Sequence, residues 1–186
     1  PVVIAAQIIT ALQQIVSRNS DPTMPSVLTF GSIQSEGGTH NVITNAVKIL
    51  GTFRTMDEKW RSEAHLKMER IATSLAEGMG GSCEFKILRG YPYLVNDDAL
   101  TSRVRNYAEN YMGKENVVDL PIRMTGEDFA FYSHEIPGCF YRLGVRNEAK
   151  NITSNVHTNT FDVDENCLQH STGLMAWLAI KELEFL

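Results

Sequence analysis

The sequence predicts an α/β protein in two parts, residues 1–92 and 93–186, from two element patterns and the break between them. The first part reads helix, strand, strand, helix, strand, the order of a split βαβ (ferredoxin-like) unit lacking its first strand. In the second part short apolar runs alternate with helical periodicities, which points to an α/β layer. Tyr91-Pro92 ends the first pattern and a fresh capping signal, Asn96-Asp97-Asp98, begins the second.

In the first part, "PVVIAAQIITALQQIVSR" places Ile4, Ile8, Leu12 and Ile15 at helical spacing, with Pro1 suited to a first helical position. The polar, proline-bearing loop Asn19 to Pro25 ends that helix. "SVLTFGSIQSE" is rich in β-formers and runs to Gly37-Gly38, and "NVITNAVKILGTFRT" alternates again, so a hairpin with a glycine turn is expected. Asp57 offers an N-cap. From it Trp60, Ala64, Met68, Ile71, Leu75 and Met79 mark one helical face, ended by Gly80-Gly81. "SCEFKILRGYPYL" supplies the expected third strand.

In the second part a helix runs through Leu100, Val104, Tyr107 and Tyr111. "NVVDLPI" and "GCFYRLGV" read as strands, with a loop and short helix between them in "MTGEDFAFYSHEIPG". The closing helix, with Leu174, Met175, Trp177, Leu178 and Ile180, is apolar over much of its circumference and is expected to be buried.

The 186 residues are 43% hydrophobic and 21% charged, which fits a globular chain of one large or two small domains. A net charge of -5 with no basic stripe argues against a nucleic-acid surface. No apolar run approaches the ~20 residues that span a bilayer, so no membrane partner is expected. Cys83, Cys139 and Cys167 are odd in number and form no CxxC pair, which favours a reducing compartment and a cytoplasmic location. The chain begins inside an element, without an initiator methionine, and so reads as a cut chain.

Several residues could carry chemistry. Glu127 and Asp128 precede Phe129, Ala130, Phe131 and Tyr132: they suit either the positive end of a helix dipole or the wall of a site. His65, His134 and His170 read as ordinary solvated side chains, whereas His157 lies in a loop before the closing helix, where functional residues gather. The chain has no HExxH, HxH or CxxC, so any metal would take most of its ligands from elsewhere. Asn41 and Arg54 could both donate to a carboxylate, the latter bidentate. Turn chemistry at Asn41 and solvation of a strand-end arginine explain them equally well.

Three motifs in one order, "GGTHNVITNAVKILGTFRT", "MTGEDFAFYSHEIPGCFYRLG" and "VHTNTFDVDENCL", follow the helix "PVVIAAQIITALQQIVSR". Together they resemble the metal-dependent amidohydrolases of the aminoacylase and carboxypeptidase G family, in particular its hippurate hydrolase and indole-acetyl-amino-acid hydrolase branch. The resemblance covers essentially the whole chain. It implies that residues 1–92 are an incomplete ferredoxin-like lid, used for homodimerisation, and that residues 93–186 are the C-terminal half of an α/β metallopeptidase-like catalytic domain. Most metal ligands and the catalytic glutamate would lie in an N-terminal half outside this sequence, leaving the fragment inactive by itself.

By the same resemblance His157, shortly before Phe161-Asp162, is a metal ligand, and Asn41 and Arg54 hold the substrate carboxylate. Glu127, with Asp128, belongs to the pocket wall and not to the metal. The implied cofactor is a divalent metal, zinc first, with manganese, cobalt or nickel as alternatives, held loosely by this fragment. The implied substrate is an N-acyl amino acid or peptide, hydrolysed with metal assistance at its amide bond. Thr44 stands where the family carries proline, which is expected to loosen the turn after Asn41. Two other readings remain: a non-catalytic small-molecule-binding or dimerisation module, and a family member that has lost activity.

Overall fold

In the computed structural model, which describes residues 1–37 and 39–185, residues 1–94 and 123–128 form one unit and residues 95–122 and 129–186 a second. The first unit opens with α1, Val2–Leu12, which continues through a π-helical turn, Ile15–Asn19. Pro1 stands just before α1, and its carbonyl accepts from Ala5 N at 2.9 Å. Strands β1, Ser26–Ser35, and β2, Val47–Thr55, pair antiparallel, and α2, Glu58–Gly78, follows. The ladder runs from Ser26 opposite Thr55 to Ser35 opposite Val47, with a bulge at Gly31. Gly51 faces Phe30, whose ring would lie 2.7 Å from any β-carbon there.

α2 starts and stops on local signals. The Asp57 carboxylate accepts from Trp60 N at 2.5 Å, satisfying one of the unpaired donors of the first turn. At the other end Gly81 N donates to Ala76 O and Gly80 N to Glu77 O, with Gly80 at φ +77°, the double closure that favours glycine. The core lies between α1 and α2: Ile8, Leu12 and Ile15 meet Ala64, Met68, Ala72 and Ala76, with Leu28, Phe53 and Trp60 at its margin. Burial of Leu12 and Ile15 contributes about 1.5–3 kcal/mol each. The buried stripe of α2 is rotated from the expected one. Ala72 and Ala76 replace Ile71 and Leu75 at its centre and Met79 is exposed, because small side chains let α1 approach.

Three expectations for the first unit are corrected. The second hairpin strand starts at Val47 and not at Asn41; Gly38, half of the expected glycine turn, lies outside the described residues. Thr44 ties the connection instead of loosening it: its hydroxyl lies within hydrogen-bond reach of the carbonyls of Glu36 and of Ala46, the latter at 2.9 Å. Residues 82–94 form no strand, although Cys83 and Phe85 turn inward and Glu84 and Lys86 outward in strand-like alternation. A strand is defined by its ladder, and among the described residues only β1 and β2 form one in this unit. Contacts with α2 hold residues 89–93 instead: Arg61 Nη1 donates to Tyr91 O at 2.7 Å, Tyr93 N to Glu58 Oε1 at 3.3 Å and Arg89 Nη2 to Ser62 Oγ at 3.1 Å.

The second unit holds α3, Asp98–Met112, α4, Ala130–Glu135, and α5, Asn166–Phe185. Asp97 caps α3 by accepting from Leu100 N at 2.8 Å. α3 and α5 are joined by the Arg103–Glu182 pair, with Nε to Oε1 at 3.0 Å and Nη2 to Oε2 at 2.8 Å, and by Trp177 Nε1 donating to Tyr107 O at 3.0 Å. Gly173 makes room for the Tyr111 hydroxyl, which would lie 1.9 Å from an added β-carbon. Here too the expected strands at 116–122 and 138–145 form no ladder among the described residues, and Asn116 closes a 3-10 turn, Lys114–Asn116. Cys139, Tyr141, Leu143 and Val145 are half-buried in alternation with exposed Arg142 and Gly144. The expectation that α5, apolar over much of its circumference, is buried is corrected in part. Leu174 and Leu178 are buried, while Met175, Ile180, Leu183 and Phe185 are exposed, since α5 packs on α3 along one side. Among the described residues no helix is long and apolar enough to cross a membrane.

Candidate functional site

Arg54 is the penultimate residue of β2. Strand alternation turns Thr55 inward, where its hydroxyl accepts from Ser26 Oγ at 3.1 Å, and turns Arg54 outward. There Arg54 Nη1 donates to Met124 O at 2.7 Å. Residues 123–128 thus return to the first unit and bring Glu127 and Asp128 with them. Glu127 is half-buried, and its Oε1 accepts from Asp128 N at 3.1 Å. The acid pair does not serve the dipole of α4: that helix begins at Ala130, and its first turn holds no acidic residue. The aromatic residues after the pair belong to the second unit, where Phe129 packs 5.9 Å from Tyr132 and 5.6 Å from Phe140, centroid to centroid.

Asn41 is not brought to Arg54. It sits in the exposed connection between the strands, where Val42 N donates to Thr39 O at 3.4 Å. Glu36 N donating to Ala46 O closes the base of that connection beside Val47, and Val42 and Ile43 are exposed beyond it. Val47 and Arg54 stand about 23 Å apart at the rise of a strand. The hairpin carries the two expected carboxylate ligands at opposite ends.

His157 is exposed at φ +66° in the loop 153–163 of the second unit. A rung between Ser154 Oγ and Thr160 Oγ1 at 2.8 Å and a turn with Phe161 N donating to Thr158 O shape that loop. Its base is fixed by residues the sequence reading passed over. Asn147 and Ile152 exchange both backbone hydrogen bonds at 2.9 Å, and Asp164 N donates to Val145 O at 3.0 Å. The buried Asp164 carboxylate accepts from Asn147 Nδ2 at 2.6 Å, Lys150 Nζ at 2.5 Å and Asn166 N at 3.3 Å. Those bonds, Asn147 first and Lys150 next, hold its carboxyl at about 2. The only sequence signal for Asp164 is an acidic residue just before a helix, which reads as a cap.

The other histidines differ from one another. His134 and His170 are exposed, as expected. His65 is not solvated: it is half-buried with its ring 6.0 Å from that of Phe53, and its buried Nδ1 has no partner among the described residues. Burial, and then the Arg61 and Arg89 guanidinium groups, lower its pKa, opposed by Glu58.

A zinc centre takes at least three protein ligands. Among the described residues no three His, Cys, Asp or Glu side chains come together to hold a metal ion. The described residues alone therefore do not make up a complete centre.

The model of peptidase family M20/M25/M40 matches residues 3–180. The chain is 35% identical to the N-acetyl-L-cysteine deacetylase of Bacillus subtilis over 168 residues, 90% of this chain and 38% of that protein. It is 32% identical to the IAA-amino acid hydrolase ILR1-like 4 of Arabidopsis thaliana over 187 residues, 98% of this chain and 42% of that protein. Among solved structures it resembles the YXEP protein of Bacillus subtilis, described as a dinuclear metal-binding peptidase of the M20 family. The TM-score is 0.77 at 30% identity, covering 100% of this chain and 47% of that one. This chain thus spans less than half the length of each of these relatives. By the match over nearly its whole length, the chain belongs to peptidase family M20/M25/M40.

Proposed function

We propose that this chain is part of a divalent-metal-dependent hydrolase that cleaves the amide bond of N-acyl amino acids, or of peptides, with zinc as the metal. The observation that carries this reading is the placement of Arg54, an exposed guanidinium, on the same segment that brings Glu127 into the first unit. A guanidinium has five N–H donors, and one of them meets Met124 O, so others remain for a substrate carboxylate. Two relatives support the substrate class by name: the products of an N-acetyl-L-cysteine deacetylase and of an IAA-amino acid hydrolase include an amino acid with a free carboxylate.

In this reading residues 1–92 are the lid, through which two copies associate, and residues 93–186 are the C-terminal half of the catalytic domain. Arg54 orients the substrate by its carboxylate; Asn41, at the far end of the hairpin, would need a separate approach to the same group. Glu127 and Asp128 line the pocket, and His157 gives its imidazole to the metal. The remaining ligands and the catalytic glutamate lie outside this sequence.

In the full-length protein Arg54→Ala is expected to raise KM for an N-acetyl amino acid and lower kcat/KM roughly tenfold or more, with kcat less affected. An unchanged kcat/KM refutes the role of Arg54. His157→Ala is expected to lower the metal bound per polypeptide, read by elemental analysis; equal metal content refutes the ligand assignment. The lack of a three-ligand cluster among the described residues favours, as a second reading, a binding or assembly role for this chain by itself. Turnover of N-acetyl amino acids by the 186-residue chain with added zinc or manganese would overturn that second reading.

A further inference from the structure

The geometry points to Asn147 as a positioning residue that couples the two ends of the His157 loop and thereby holds His157 in place; its relevance to metal binding rests on the ligand reading above. Asn147 acts at both ends of the loop 153–163. Its backbone exchanges two hydrogen bonds with Ile152, where the loop begins. Its side-chain Nδ2 donates to the carboxylate of Asp164, where the loop ends, and its Oδ1 accepts from Lys150 N at 3.2 Å.

Lys150 reinforces the same point, since Nζ reaches the other oxygen of Asp164. Both loop ends therefore converge on one short hairpin, 145–152, and Asp164 N donating to Val145 O keeps its strand leg in place. His157 has left-handed backbone geometry, which an imidazole residue adopts at some cost unless its surroundings impose it. With both ends fixed and the Ser154–Thr160 rung across the middle, the loop imposes it. The Asn147 and Lys150 bonds to Asp164 form a clasp that ties the end of the loop to its beginning, and the Ser154–Thr160 rung lies inside it.

The test uses amide hydrogen exchange on the 186-residue chain, together with the ring resonances of His157. In Asn147→Ala the amides of Ile152 and Asp164 are both expected to exchange roughly tenfold faster or more, while α3 is unchanged. The His157 ring resonances are expected to move toward those of an unstructured chain. Asn147→Asp alone brings two carboxylates together and should open the clasp as well. The exchange of partners Asn147→Asp with Asp164→Asn restores one donor facing one acceptor, and should return both the slow amides and the His157 resonances.

Loss of protection at Asp164 alone, with Ile152 unchanged, overturns the coupling. So does a failure of the double variant to recover while α3 remains folded. The ligand reading fails separately, in the metal content of full-length His157→Ala, and its failure leaves these exchange results as they are.

Discussion

Asp164 shows how much one buried carboxylate can order. Its carboxyl lies at about 2, below the ordinary value near 4, because Asn147, Lys150 and Asn166 donate to the charged form. A depressed folded value contributes stability that is fully present above the unfolded value and is lost as pH falls through the folded one. The second unit is therefore expected to lose stability between about pH 4 and about pH 2. Trp177 lies in that unit and Trp60 in the other, so urea unfolding followed by Trp177 fluorescence in a Trp60→Phe background isolates it. Asp164→Asn should flatten the pH dependence in that window, and a slope equal to that of the parent would count against the clasp. His65 works in the same sense in the first unit but at higher pH: with its folded value lowered, stability is present above the ordinary imidazole range and falls as pH drops through it.

At the scale of elements, the helices follow from signals a few residues long, and these were legible. Asp57 and Asp97 cap as their sequence positions suggest, and Gly80-Gly81 closes α2 as expected. What the periodicity did not disclose is which residues touch the neighbouring helix. The α2 stripe is centred on Ala64, Met68, Ala72 and Ala76, because α1 comes close enough that Gly81 has Ile4 Cδ1 only 2.8 Å from where a β-carbon would sit. Ala72 is fully buried in that contact. Ala72→Leu is thus expected to overpack it and to cost about 1–3 kcal/mol, despite matching the helical periodicity better. Thermal unfolding followed through Trp60 would decide this; an unchanged midpoint would mean that the helices part without strain. The site divides in the same way. Motifs single out His157 and Arg54 as candidates, but the Asn147–Asp164 contact joins residues by side-chain geometry that no local pattern records.

For the whole molecule, the least legible feature is the set of strands that do not form. Residues 82–86 and 140–145 have the composition and much of the inward and outward alternation of strands, and Cys83 and Phe85 pack on the first unit's core. Yet pairing is a property of two segments, and among the described residues the only sheet is β1 with β2. The sequence can specify a segment ready to pair without specifying its neighbour, which is why three expected strands join no ladder among the described residues. This has a measurable consequence for the 186-residue chain. Amides in residues 83–88 should exchange far faster than those in the β1–β2 ladder, because open backbone groups are bonded to water. Side chains of Cys83 and Phe85 should still show contacts with the α1–α2 core, because packing there does not depend on a ladder. Amides at 83–88 as slow as those of Leu28 or Phe53 would require a backbone partner and would contradict the two-stranded sheet. Fast amides with the Phe85 contacts retained would show that packing alone holds these segments extended, which is the state in which an incoming strand finds them ordered at little cost in chain entropy.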